Sequence, residues 1–161
     1  MYFEGFEEEL RRHLPEPGNI RKMDPAVSGC RLGIQAAPRH VETIARAARA
    51  AGLFLETVTA LDFIDGMHAI YFYNSFEVPS RVQVRVVLAP GEPLPTISHV
   101  YDAALWYERE VFDLFGIRFD GHPDLRRLLL PEEADFHPLA KNFGKVHAFR
   151  SAQDIYGDPA A

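Results

Sequence analysis

The chain has 161 residues, of which 47% are hydrophobic and 25% are charged, and its formal net charge is −6. A chain of this length is expected to form one domain with a hydrophobic core. An acidic chain is a poor general partner for nucleic acid, because phosphate binding needs a basic surface. The nearest approach to a basic cluster is Arg126-Arg127, which is too short to form one.

Cys30 is the single cysteine, which excludes an intramolecular disulfide and is typical of a reducing compartment. It also excludes an iron–sulfur cluster or a Cys-rich zinc site held by this chain alone, because such sites need about four protein ligands. Neither a Walker A loop nor a Gly-x-Gly-x-x-Gly turn occurs. We therefore expect no cofactor in this chain.

The first residues are not expected to form a signal peptide. Residues 1–4 lack the basic start of a signal peptide, and no apolar run approaches the roughly 20 residues of a membrane-spanning helix. These features predict a soluble or peripheral protein. Residues 1–30 are predicted to form an N-terminal arm with a short helix in residues 7–12, which Pro15 and Pro17 would end.

An α+β domain is predicted over residues 31–120, beginning with a strand at residues 31–34. Residues 38–51 are predicted to form a helix, because apolar residues recur there at helical spacing and Gly52 suits its C-terminal cap. The helix is expected to cover one face of a sheet.

Three strands are predicted next, over residues 53–61, 68–78 and 81–88. Asp65-Gly66 is a strong tight-turn signal between the first two. The third strand alternates apolar with polar residues, which is typical of a strand with one buried and one wet face. The succession predicts an α+β fold in which an antiparallel β-sheet is covered by helices on one face.

A second helix is predicted over residues 99–115, with Ser98 as its N-terminal cap and Gly116 as its end. Its apolar residues occupy about half of the helix circumference. Arg109 and Asp113 fall on the opposite side, where they are expected to form a surface pair.

Two residues of this helix break its pattern. Glu108 falls inside the apolar arc, and a buried carboxylate is costly unless it is paired or hydrogen-bonded. Trp106 falls on the polar side, which makes it a candidate for contact with a partner. The simpler alternatives are that Glu108 reaches solvent along its stem and that Trp106 lies under the C-terminal tail.

Residues 121–161 have little helical or strand periodicity and are predicted to form a long, irregular, extended C-terminal arm that binds a partner. Prolines punctuate the arm, and its many leucine and phenylalanine residues favour burial against another surface. The arginines of the arm suit pairing with carboxylates.

Three segments in the last third of the chain resemble one known family. They read EREVFDLFGI at residues 108–117, HPDLRRLL at residues 122–129, and HPL at residues 137–139 followed by Lys141 and Phe143. Their sequence and spacing closely resemble the signature of the 30-kilodalton subunit family of respiratory complex I, also called its C-subunit family. The residues expected at the signature and partner interface are Trp106, Glu108, Arg109, Glu110, Asp113, His122, Pro123, Arg126, Arg127, His137, Pro138 and Lys141.

The resemblance implies membership of the cytoplasmic peripheral arm of NADH:quinone oxidoreductase, at the inner face of the cell membrane and touching the membrane only through the complex. A protein of this family packs on the large, D-type subunit near the quinone site, beside neighbouring iron–sulfur subunits. It supports electron transfer from NADH to quinone and binds no flavin, cluster or nickel.

The chain departs from the family pattern at Ala140 and Asn142, where Arg and Asp are usual. These departures leave open which complex it serves. The equivalent small subunit of a membrane-bound, energy-converting nickel–iron hydrogenase, packed on the hydrogenase large subunit, is the main alternative. A free-standing small α+β enzyme or binding domain is the remote one.

Two catalytic interpretations of the charged residues are weaker. A zinc site at His122 and His137 would need a third ligand from His99, His147, Glu108 or Asp124, and no His-Glu-x-x-His spacing supports it. Each histidine is more simply a brace for the turn before its proline. Glu108, Glu110 and Asp113 do not converge as an acid–base set, and we favour structural pairing with Arg126, Arg127 or a partner. No catalytic residue and no metal site are predicted.

Overall fold

A five-stranded sheet forms the centre of the domain. The computed structural model describes residues 2–13, 20–78 and 81–143. The strands are β1 (Ile20–Lys22), β2 (Leu32–Ala36), β3 (Phe54–Phe63), β4 (Gly66–Asn74) and β5 (Val82–Leu88), in the order β1-β2-β5-β4-β3. The predicted α+β class is confirmed.

The sheet is antiparallel at every pair except β2 with β5, which run parallel. A parallel pair needs a long crossover connection. Here the crossover contains a helix and the β3–β4 hairpin, so β5 returns beside β2 in the same direction. The expected antiparallel sheet is thus a mixed sheet, and the short strand β1 was not predicted.

One face of the sheet is apolar, because apolar residues alternate along each strand and the pairing register places them on the same face. Tyr71 of β4 pairs with Val84 of β5 and with Val58 of β3, and directly opposed residues lie on the same face. All three side chains are buried. The alternation predicted for β5 therefore points Val82, Val84 and Val86 into the core.

Three helices complete the core on that face. They are α1 (Tyr2–His13), α3 (Val41–Ala50) and α4 (Ala104–Phe115), while α2 (Pro25–Ser28) is a single turn. Buried residues of the three longer helices and of the inner sheet face form one hydrophobic cluster, to which α1 contributes Phe6 and Leu10. Helix α3 follows a 3-10 turn (Pro38–His40) inside the predicted range.

Helix α4 begins at Ala104, five residues after the start predicted from Ser98. Residues 97–103 form hydrogen-bonded turns instead. The hydroxyl of Tyr101 donates to the carbonyl of Leu53 at 2.8 Å and fixes this segment against the sheet. Ser98 does not cap the helix, because its side chain bonds to Thr96.

The chain then forms a parallel two-stranded pair between β6 (Leu94–Pro95) and β7 (Phe119–Asp120), before residues 121–143 fold back over α4. In the described ranges, no helix combines the length and the apolar character that crossing a membrane would require.

Candidate functional site at the junction of helix α4 and the C-terminal arm

Helix α4 ends before Gly116, and two physical reasons favour glycine at that position. Gly116 has a φ of 83°, in the left-handed region that favours glycine. A Cβ atom at this position would also lie 2.8 Å from Cδ2 of His137. The glycine ends the helix as predicted, and it lets the arm segment, here residues 121–143, pack against the helix end.

Glu108 is completely buried on the inner face of α4. Its Oε1 accepts the backbone N–H of Ile97 at 2.8 Å, and its Oε2 accepts the hydroxyl of Thr96 at 2.5 Å. The prediction of a buried, hydrogen-bonded carboxyl is confirmed, and the alternative that Glu108 reaches solvent is wrong. Burial raises the pKa of Glu108 to about 7, although the hydrogen bonds from Ile97 and Thr96 oppose the rise.

His122, at the start of the arm segment, lies beside Glu108. Its Nε2 lies 3.2 Å from the carbonyl oxygen of Leu105 and 3.9 Å from Oε2 of Glu108. Its Nδ1 accepts the backbone N–H of Asp124 at 3.1 Å. The ring therefore braces the turn that contains Pro123, as the simpler interpretation expected.

Asp113 fixes the middle of the arm segment and is completely buried. Its Oδ2 accepts three consecutive backbone N–H groups, those of Leu128, Leu129 and Leu130, at 3.1, 2.6 and 2.9 Å. Its Oδ1 accepts the guanidinium of Arg127 at 3.0 Å. The carboxylate thus holds a loop of the arm directly against the helix.

These bonds also determine the charge of Asp113. Burial alone would raise its pKa, but the amides of Leu130 and Leu129 and the guanidinium of Arg127 outweigh burial and hold the pKa below its usual range. The negative charge is compensated by donors of the arm, so Asp113 is a structural anion in this fold.

Two arginines complete the contact between helix and arm. Arg109 donates to the carbonyls of Arg126 and Arg127 at 3.2 and 2.8 Å. Arg127 donates to the backbone carbonyls of Asp113 and Ala134 as well as to the Asp113 carboxylate. The expected surface pair of Arg109 with Asp113 is wrong, because the arm segment covers both residues and each bonds to the arm.

The C-terminal part of the arm segment contacts the end of helix α4 and strand β3. The ring Nδ1 of His137 lies 2.9 Å from the carbonyl oxygen of Asp113, and the amide of Leu139 donates to Leu114 at 2.9 Å. The amide of Lys141 donates to Oδ2 of Asp62 on β3 at 2.7 Å. Pro138 is half-buried between these contacts.

Other signature residues face outward. Trp106 is 59% exposed, so the arm segment does not cover it, and the Arg109 guanidinium lies 5.3 Å from its ring centroid. Glu110 and Pro123 are exposed, and Arg126 pairs with Asp124 at the surface. The role of these residues at a partner interface stays a prediction.

The arrangement does not present an acid–base pair to a common substrate. Glu108 bonds to residues 96–97, Asp113 bonds to the arm, and Glu110 points to solvent. In the part of the chain that the structure describes, no group of three or more His, Cys, Asp or Glu side chains is placed to hold a metal ion. His147, which was considered as a third ligand of a zinc site, lies outside the described residues.

An open cleft of about 460 Å³ lies beside the junction, between the β3–β4 turn and the end of α4. Its lining is mixed, with apolar side chains such as Phe63, Met67 and Ile117 beside the charged residues Asp62, Glu92 and Arg118. The Asp62 carboxylate is bonded to the arm, and neither Glu108 nor Asp113 lines the cleft.

The sequence did not identify the contacts that three residues make at the junction. Thr96 donates to Glu108 and bonds to Ser98, which was expected only as a helix cap, and Asp62 anchors the arm at Lys141. Thr96 and Ser98 lie in a short connector where hydroxyl residues have many ordinary uses. Asp62 follows no motif, so no local signal identified it.

The fold and these contacts define a class of small α+β domain in which buried charged residues of one helix brace the chain's own C-terminal segment. Residues 34–148 match the family described as respiratory-chain NADH dehydrogenase, 30 Kd subunit. The match covers more than half of the chain, and the chain belongs to this family.

Individual relatives show the same kinship. The chain is 45% identical over 92 residues to the NADH-quinone oxidoreductase C subunit of Rhodobacter capsulatus, which is 55% of this chain and 46% of that protein. It is 44% identical over 89 residues to the mitochondrial NADH-ubiquinone oxidoreductase 30.4 kDa subunit of Neurospora crassa, covering 53% and 31%. It is 49% identical over 84 residues to the NADH-quinone oxidoreductase C/D subunit of Methylococcus capsulatus, covering 48% and 14%. The matched part thus spans less than half of each of these relatives.

A solved structure shares the fold. A chain of the membrane-bound sulfane sulfur reductase, an archaeal respiratory membrane complex, superposes with a TM-score of 0.73. The superposition covers 91% of this chain and 88% of that one at 18% sequence identity. At this identity the likeness concerns the fold alone.

Proposed function

We propose that this chain is the 30-kilodalton-type subunit of an NADH-quinone oxidoreductase and supports electron transfer from NADH to quinone without a redox group of its own. The observation that carries the proposal is the family match over residues 34–148. The buried charges of the junction support a structural role, since each is used to hold the chain's own backbone.

The partner in this proposal is a D-like large subunit, with iron–sulfur subunits nearby. The relative from Methylococcus capsulatus supports it, because its C/D name places both subunits in one protein and this chain matches 14% of its length. Two subunits that function as one chain are expected to remain in contact. The complex would lie at the cytoplasmic inner face of the membrane, and this chain would reach the membrane through its partners.

The surface that suits such a contact lies on the arm segment and on the outer side of α4. Trp106, Leu129 and Leu139 are 59, 64 and 52% exposed, whereas the polar backbone beneath them is hydrogen-bonded within the chain. Exposed aromatic and aliphatic side chains on an ordered backbone are typical of interface anchors. Arg127 would then act on assembly by shaping the arm, since its guanidinium is occupied internally.

Affinity purification from the native membrane tests the proposal. We expect a D-like large subunit and the flavin-containing subunits that oxidise NADH to co-purify. A nickel-containing hydrogenase large subunit in their place would establish the hydrogenase alternative. Recovery of the chain alone under the same mild conditions would favour a free-standing protein.

Trp106→Ala tests the proposed contact surface within the assembled complex. We expect reduced recovery of intact complex, with turnover per bound flavin unchanged in the complexes that do assemble. Val27→Ala is the matched control, because Val27 is 86% exposed on the single-turn helix α2. Full assembly of the Trp106 variant together with a collapse of turnover would show a catalytic role instead.

A further inference from the structure

The Glu108 carboxyl is buried without a full positive charge beside it. Burial is the main cause that raises the pKa of Tyr71 and of Tyr73 on β4, and the charge of Glu108 adds to the rise in both. His99, in the connector before α4, opposes the rise in the pKa of Glu108. His122 is the remaining titratable neighbour, with Nε2 at 3.9 Å. The charged residues Arg109 and Asp113 of α4 are bonded to the arm rather than to this cluster.

The hydrogen bonds of His122 give its two ring nitrogens different roles. Its Nδ1 accepts the Asp124 amide, so that atom carries no proton. Its Nε2 then carries the single ring proton and donates to the carbonyl of Leu105 at 3.2 Å. A fully buried carboxyl with no arginine or lysine bonded to it favours its neutral form.

A chain of two hydroxyl groups leads from the fully buried Glu108 to Ser98, which is 8% exposed. Oε2 of Glu108 lies 2.5 Å from Oγ1 of Thr96, which lies 2.9 Å from Oγ of Ser98. Each hydroxyl can donate one hydrogen bond and accept others. The chain can therefore reverse its direction without leaving an unpaired oxygen.

Both charge states of Glu108 are satisfied by this geometry. When Glu108 is ionised, Ser98 donates to Thr96 and Thr96 donates to the carboxylate. When Glu108 is protonated, it donates to Thr96 and Thr96 donates to Ser98. The backbone N–H of Ile97 donates to the other carboxyl oxygen in either case, at 2.8 Å.

We propose that Glu108, Thr96 and Ser98 form a buried proton-binding site whose charge state is sensed at the root of the arm by His122. For uptake, hydronium gives a proton to the Ser98 oxygen and is left as water, the Ser98 proton passes to Thr96, and the Thr96 proton passes to Oε2 of Glu108. At Ser98 and at Thr96 one O–H bond forms and one breaks, so the net change is one new O–H bond at the carboxyl of Glu108. Release follows the same path in reverse.

His122 is the connection between this site and the arm. An ionised Glu108 attracts the Nε2–H of His122 across 3.9 Å, in competition with the hydrogen bond to Leu105. Protonation of Glu108 removes that attraction and leaves the ring on Leu105. The environment of His122 is therefore expected to change with the charge of Glu108.

Carbon-13 NMR titration of the full-length chain tests the site directly. We expect the side-chain carboxyl resonance of Glu108 to titrate with a midpoint of about 7, and the His122 ring resonances to show a step at the same midpoint. Glu110→Gln is the control, because Glu110 is exposed on the same helix and its loss leaves both signals unchanged. In Glu108→Gln the step at His122 disappears.

Thr96→Val distinguishes the effect of the hydroxyl chain on the titration of Glu108 from the effect of burial alone. Valine keeps the shape of threonine but cannot donate to the carboxylate, so the midpoint of Glu108 is expected to rise by about one pH unit. A Glu108 resonance that titrates like a solvent-exposed carboxyl in the unsubstituted chain would overturn the proposal. So would an unchanged midpoint in Thr96→Val. If the Thr96→Val variant does not fold, Ser98→Ala replaces it, because this substitution removes the hydroxyl that bonds to Thr96. An unchanged midpoint of Glu108 in Ser98→Ala would also overturn the proposal.

Discussion

Glu108 and Asp113 lie on the same helix and are both completely buried, yet their pKa values shift in opposite directions. Glu108 has two hydrogen-bond donors and no arginine or lysine bonded to it, so burial prevails and raises its pKa to about 7. Asp113 has three backbone donors and a guanidinium, so the donors prevail and hold its pKa low. The difference arises from what faces each carboxyl.

Asp113→Asn should destabilise the chain by about 3 kcal/mol. The substitution removes a buried charge that satisfies three amides and leaves the guanidinium of Arg127 without its carboxylate. Urea unfolding measures the loss. Asp102→Asn is the control, because Asp102 is exposed near the start of the same helix. Equal stabilities for the two variants would contradict the proposed role of Asp113.

The two neighbouring arginines should behave differently. Arg127→Ala is expected to cost about 2–3 kcal/mol, because its side chain is 11% exposed and bonds to Asp113 and Ala134. Arg126→Ala should cost less than about 0.5 kcal/mol, because a 63% exposed side chain paired at the surface contributes little. Thermal unfolding of both variants distinguishes them, and similar losses would show that the arm is not anchored through Arg127.

The pH dependence of stability should carry a component from Glu108. Its pKa is about 7 in the folded chain against 4.5 as the ordinary value, so the folded state holds the extra proton between these limits. This stabilising contribution is complete below the unfolded pKa and is lost as pH rises through the folded pKa, by about 3 kcal/mol in total.

Glu108→Gln isolates that component, because glutamine does not titrate. The free energy of unfolding of the unsubstituted chain should fall relative to the variant as pH rises from about 4.5 to about 7, and the difference should then become constant. Glu110→Gln should follow the unsubstituted chain throughout. Asp113 contributes with the opposite sign at acidic pH, where protonation removes its stabilising bonds, and it does so equally in all three proteins. A constant difference across the whole range would contradict the expectation.

Gly116→Ala should destabilise the chain more than Gly52→Ala. Both glycines have similar φ values, 83° and 75°, so each substitution carries a similar backbone cost of about 1 kcal/mol. A Cβ at Gly52 meets nothing within 4 Å, whereas one at Gly116 meets the His137 ring at 2.8 Å. We expect about 2 kcal/mol of additional loss at Gly116.

A double-mutant cycle identifies the cause of that additional loss. In His137→Ala the space beside Gly116 is open, so Gly116→Ala should then cost no more than Gly52→Ala. Differential scanning calorimetry of the four proteins provides the comparison. A cost at Gly116 that does not depend on residue 137 would place the clash elsewhere.

The sequence determined the local elements and the apolar faces. The alternation of β5, the helical spacing of α3 and the termination of α4 at Gly116 each depend on neighbours a few residues away, so they could be predicted. The same holds for Glu108, because its place in the apolar arc of one helix was sufficient to predict a buried, bonded carboxyl.

Tertiary structure decided what covers the other side of α4. A projection of one helix places Arg109 and Asp113 on its polar face, but it cannot show that the backbone of residues 126–130 lies against that face. The partners there are main-chain amides and carbonyls, which have no sequence pattern. The parallel pairing of β2 with β5 and the start of α4, which is set by the contact of Tyr101 with Leu53, are long-range in the same sense. Such contacts form between segments distant in the chain, and only the folded chain brings them together.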